Sequence, residues 1–123
     1  LFIAVAVLAA ACTTGSPETG GSFETAERIH NQGNTEGAVP CSACHSLDGT
    51  QLVGPTFQGI ATAAAERQEG VSAEAYLRAS ITMPASYVVP GYSNAMPATY
   101  TESLSEAEID ALVDWLLTFD EVQ

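Results

Sequence analysis

The sequence predicts an all-α fold of four or five short helices joined by long loops. Three features point that way. Apolar residues recur at helical spacing behind recognisable caps, and no stretch alternates as a half-buried strand does. Two irregular stretches, residues 46–60 and 83–103, are long for a domain of this size. Loops of that length order themselves only when something else holds them.

Residues 1–11 form an unbroken apolar run that ends at Cys12. The run is shorter than the roughly 20 residues needed to cross a bilayer, and it has the length of a signal-peptide core, about 7–15 residues. Leu8-Ala9-Ala10-Ala11-Cys12 resembles a bacterial lipobox, with Ala9 where such boxes usually carry Leu. Residues 1–12 are therefore expected to be a signal and lipobox segment that leaves Cys12 as a lipid anchor, or else an apolar membrane anchor. Either places the protein at the extracytoplasmic, periplasmic face of a bacterial membrane.

Residues 13–21, rich in Gly, Ser, Thr and Pro, read as a flexible tether, and 22–123 as one domain. Within it a first helix is expected over 23–30, with Ser22 as N-cap and Gly33 past its end. A second helix is expected over 60–69. A third covers 73–82, with Ser72 as cap and Glu74 in its first turn. Residues 83–103, with three prolines, read as loop. The last helix carries the clearest signature: Ser105 and Glu108 form a capping box, and Ile109, Leu112, Val113, Leu116 and Leu117 follow at helical spacing.

Charge excludes one class of function. The chain has 15 acidic residues, three arginines (Arg28, Arg67, Arg78) and no lysine, for a net charge of −12. Nucleic-acid binding needs the opposite sign. The balance suits a protein partner with a basic docking face.

With Cys12 assigned to the anchor, the remaining cysteines fall in one motif, Cys41-Ser42-Ala43-Cys44-His45. C-x-x-C-H is the attachment pattern of c-type haem: two thiols fix the porphyrin and the adjacent imidazole ligates its iron. A zinc site would need further Cys or His ligands, and only His30 is left. A thioredoxin-like pair would expect a βαβ setting. One covalent haem c, held by Cys41 and Cys44 with His45 on the iron, is the expected cofactor, and it explains the long loops. A sixth ligand is sought among two methionines, each followed by proline. Met83 ends a helix, where packing is expected of it, whereas Met96 lies in mid-loop before the capped last helix.

From about Ser22 to Phe119 the chain resembles class I c-type cytochromes, and in particular the cytochrome c domains of haem-copper oxidase subunit II and the monohaem subunits of bacterial respiratory complexes such as alternative complex III. The resemblance rests on Pro40-Cys41-Ser42-Ala43-Cys44-His45, on Gly54-Pro55-Thr56-Phe57-Gln58-Gly59, and on Tyr76-Leu77-Arg78-Ala79-Ser80-Ile81. It continues in Val89-Pro90-Gly91-Tyr92, Met96-Pro97 and Leu104-Ser105-Glu106-Ala107-Glu108-Ile109. It implies the class I cytochrome c fold around one haem, with Met96 as sixth ligand. It also implies that the carbonyl of Pro55 accepts a hydrogen bond from the second ring nitrogen of His45. Where relatives commonly carry Asp-Pro or Asn-Pro, this chain has Met83-Pro84. The first and last helices are expected to cross, with Phe23 or Ile29 near a core Trp115. Tyr87, Tyr92 and Arg67 are candidates for the haem propionates, and His30 is expected at a helix surface.

The function this implies is one-electron transfer by a membrane-tethered monohaem cytochrome, not catalysis by the chain itself. It would act as a shuttle or as a fixed subunit of a respiratory or photosynthetic complex. The alternative is a haem-based enzyme or gas sensor whose methionine ligand is displaced.

Overall fold

A computed structural model describes residues 19–120, with the side chains of 19–22 excepted. The lipobox segment, Cys12 and the tether up to residue 18 lie outside the described residues. Among those described there are five helices and no strand: α1 (Thr19–Gln32), α2 (Ile60–Glu66), α3 (Ala73–Thr82), α4 (Tyr100–Ser103) and α5 (Glu106–Leu116). Two 3-10 turns, Cys41–Ala43 and Pro84–Ser86, interrupt the loops. No described helix is long and apolar enough to cross a membrane.

The frame is the packing of α1 against α5, which lie far apart in sequence. α5 presents Ile109, Leu112, Val113, Trp115 and Leu116 inward, and its capping box is present as the sequence predicts. α1 contributes Ala26, Ile29 and His30, all buried. It begins at Thr19, so Ser22 is inside the helix rather than capping it, and the last three residues of the expected tether are helical. Once packing fixes the following turns, each added residue gains a hydrogen bond without a new nucleation cost. α3 starts at Ser72, whose hydroxyl accepts from Ala75 N, and spans 73–82 as expected. α2 stops at Glu66, short of the expected 69, because the chain turns at Gln68–Val71 through Gly70 at φ 77°. The stretch read as loop over 83–103 contains the 3-10 turn at Pro84 and the single turn of α4.

After α1 the chain reverses at Gly33, at φ 71°. A Cβ there would stand 2.0 Å from the carbonyl oxygen of Ala38, so only glycine fits. Asn34 then organises the approach to the cysteine motif. Its Oδ1 accepts from Glu36 N and Ala38 N, each at 3.0 Å, and its Nδ2 donates to the Ser103 carbonyl at 2.6 Å. One side chain thereby ties the loop before Cys41 to the corner between α4 and α5.

Replacing Asn34 with Ala leaves two loop N–H groups and a buried carbonyl without partners. The expected cost is about 2 kcal/mol of stability, read as a lower midpoint in denaturant unfolding. An unchanged midpoint would mean that the loop is held elsewhere.

Candidate haem site

The motif sits in a tight turn. Cys44 N and His45 N both donate to the Cys41 carbonyl, at 3.1 and 2.9 Å. This puts both thiols and the imidazole beside one cleft. Cys41 and Cys44 are free and partly buried, and burial pushes the Cys41 thiol up to about 11.

The loop after the motif folds back onto it. Gly54 N donates to the Cys44 carbonyl at 2.8 Å, and Phe57 N to the Ser46 carbonyl at 2.7 Å. The Ser46 hydroxyl donates to the Thr50 carbonyl and lies within hydrogen-bond distance of the Thr56 hydroxyl, from which it can accept. These bonds deliver the Pro55 carbonyl to His45 Nδ1 at 2.6 Å, the contact that the family resemblance implies. With Nδ1–H committed there, Nε2 keeps its lone pair for a metal. Burial lowers the pKa of His45, and the Pro55 bond offsets this only in part, so the ring stays neutral, its ligating form.

Two neighbours fix the plane of that ring. Phe57 stacks on it, with centroids 4.4 Å apart and planes 12° apart. On another side Gly54 leaves no room: a Cβ would lie 2.4 Å from His45 Cε1 and 2.8 Å from Nδ1.

The rest of the cleft is apolar. Ile60, Leu77, Ile81, Leu104, Leu112 and Leu116 serve both as its walls and as the hydrophobic core. Met96 also lines it and is packed against the core. Met83 does not: it is 59% exposed at the end of α3, so it neither lines the cleft nor packs, contrary to the packing expected of it. The reason is local, because Met83 caps α3 while the following Pro84 takes the buried position.

All three propionate candidates line the cleft. Arg67 donates to the Tyr76 hydroxyl at 3.2 Å and lies over its ring, and Tyr87 meets Tyr76 edge-on. The Tyr92 hydroxyl accepts from Gln51 Nε2 at 3.2 Å. Arg67 is the one permanently charged residue in the lining.

His30 overturns its expected surface position. It is 3% exposed, with its ring centroid 5.3 Å from Trp115 and 5.8 Å from Phe57. It is therefore the ring of α1 that meets Trp115, which is itself buried as expected. His30 is not part of the cleft lining.

Sequence reasoning also missed Tyr100, whose hydroxyl donates to the Val39 carbonyl at 2.9 Å and closes one wall of the cleft. Its signal was an aromatic residue four positions after Met96. Burial raises its pKa to about 12.

A neutral imidazole with a free Nε2, two thiols at attachment spacing, a thioether and a large apolar cleft together define a haem-binding protein of the c type. A sequence model of the family Cytochrome c matches residues 25–120, and the chain belongs to that family. A search of curated proteins returns no match. The family implies covalent haem c, an electron-transfer role and the class I fold. The residues lining the cleft fit that group, with Cys41 and Cys44 to hold it and His45 oriented to ligate.

Gly54→Ala tests how closely the loop must approach. It is expected to displace the imidazole, costing about 1–3 kcal/mol through overpacking and converting low-spin iron partly to high-spin in optical spectra. A variant with an unaltered spectrum would show that the ring has slack.

Proposed function

We propose that this chain is a monohaem electron carrier with His45 and Met96 as the two axial ligands. When bound, haem c supplies an iron that changes oxidation state by one electron. The chain's own residues set the conditions. Pro55, Phe57 and Gly54 hold His45 in one orientation, and burial favours its neutral form. The Met96 thioether would favour the reduced state and so raise the potential. The aliphatic walls keep water from the site, and Arg67 supplies the positive charge that the cofactor's carboxylates require.

The observation that carries this reading is the placement of the two methionines. Met96 lines the cleft and Met83 stands in solvent. With both His45 and Met96 holding it, the iron would have no open position, which favours electron transfer over substrate or gas binding.

Met96→Leu is expected to abolish the weak far-red band of methionine–iron ligation, yield high-spin iron and lower the potential. Met83→Leu is expected to leave the spectrum unchanged. If Met83→Leu removed the band, or if the unaltered protein bound carbon monoxide readily, the ligand assignment would be wrong.

We further propose that Cys12 is lipidated and tethers the domain to the outer face of a membrane, where it passes electrons between larger redox proteins. The lipobox-like residues 8–12 and the tether-like composition of 13–18 support this. Cys12→Ser is expected to move the protein from the detergent-soluble membrane fraction to the aqueous one. Retention in the membrane would point instead to an apolar anchor.

A further inference from the structure

The charge of this protein is segregated. Residues 37–65 contain one charged residue, Asp48, and residues 79–101 contain none. These two stretches supply most of the cleft lining, from Val39 to Ile60 and from Ser80 to Tyr100. Of the 15 acidic residues only Asp48 falls within them, and its carboxylate is turned to Thr50 N at 3.0 Å. None of the described acidic residues lines the cleft. Among the described residues the other acids are Glu24 and Glu27 on α1, Glu36 in the loop after it, Glu66, Glu69 and Glu74 from α2 to α3, and those from α4 to Asp120; Arg28 pairs with Glu108, and Arg78 with Glu106 and Asp110.

Exposed apolar side chains show the opposite distribution. Of the five large ones among the described residues, Val39, Leu47, Leu52 and Val53 all flank the cysteine motif. Val39 and Val53 line the cleft, and Leu47 and Leu52 lie outside it. A charge-poor surface carrying exposed aliphatic residues therefore surrounds the attachment site.

We infer that this charge-poor face is the docking surface, and that it fits a redox protein whose own cofactor edge is ringed by uncharged, apolar residues rather than by lysines. The inference rests on the electron-carrier reading and specifies its partner. Charge complementarity supports the choice. A lysine ring would meet one carboxylate here, whereas the other described acids lie outside the cleft lining and outside these two stretches. Its charges would thus find little to pair with at this face. A compact apolar patch suits a partner that docks briefly, since transient electron-transfer contacts are among the smallest specific interfaces.

The test is stopped-flow electron transfer from the reduced holoprotein to two probes, across about 0.02–0.5 M ionic strength. One probe is a blue copper protein with an uncharged apolar patch over its metal, and the other is a lysine-rimmed cytochrome c of similar potential. Faster transfer to the copper protein, with little dependence on salt, supports the proposal. Leu52→Asp should slow that reaction about tenfold while the spectrum and the potential stay unchanged. Faster transfer to the lysine-rimmed protein, falling steeply with salt, would overturn it, as would an unchanged rate for Leu52→Asp. A dimer in sedimentation that Leu52→Asp dissolves would also overturn it, because a second copy would then cover the face. In each of these outcomes a low-spin spectrum keeps the electron-carrier reading intact, whereas its loss would overturn that reading instead.

Discussion

The hydrogen bond between His45 Nδ1 and the Pro55 carbonyl forms only because the chain doubles back over eleven residues and is pinned at several points. Gly54 N binds the Cys44 carbonyl, Phe57 N binds the Ser46 carbonyl, and the Ser46 hydroxyl braces both Thr50 and Thr56. Each bond alone is worth about 1 kcal/mol. Together they convert a glycine-rich stretch without helix or strand into a rigid bracket for one imidazole. Phe57 finishes the bracket on the ring face, and on its far side touches His30, which packs against Trp115 of α5. The orientation of the imidazole is thereby continuous with the α1–α5 packing that frames the fold.

The same residues make the core and the cleft. α2, α3, α4 and α5 each turn buried side chains into it, namely Ile60, Leu77 and Ile81, Tyr100, and Leu112 and Leu116. These walls are already buried from water, and a bound haem would add contacts along them. Haem binding would therefore stabilise the folded chain, and Asn34, which sets the path of the loop before Cys41, would bear on both.

Much of this was legible in the sequence because it is encoded locally. Ser72, the Ser105–Glu108 box and the apolar periodicity of α5 act within a few residues, as does C-x-x-C-H. Long-range roles were not legible. Asn34 binds a carbonyl 69 positions away, and Tyr100 one 61 positions away, and nothing next to either residue announces the partner. His30 was different, because its burial was written in the spacing. Ala26, Ile29 and His30 fall at i, i+3 and i+4, the inward stripe of α1. Polarity argued for the surface, but two aromatic neighbours argue for the core, and packing prevails at the cost of an Nε2 without a hydrogen-bond partner among the described residues.

Net charge is a property of the whole molecule, whereas docking senses the charge near the contact. Screening at physiological salt confines an exposed charge to about 8 Å. A carboxylate on the outer side of α5 therefore contributes little at a surface on the other side of the core. A value of −12 suits a basic partner; the thirteen acids among the described residues leave the cleft lining without a carboxylate and the two stretches that form most of it with one. The acidic remainder then serves solubility and repulsion between copies. On that division, repulsion between acidic surfaces would oppose self-association through the patch bearing Leu47, Leu52 and Val53.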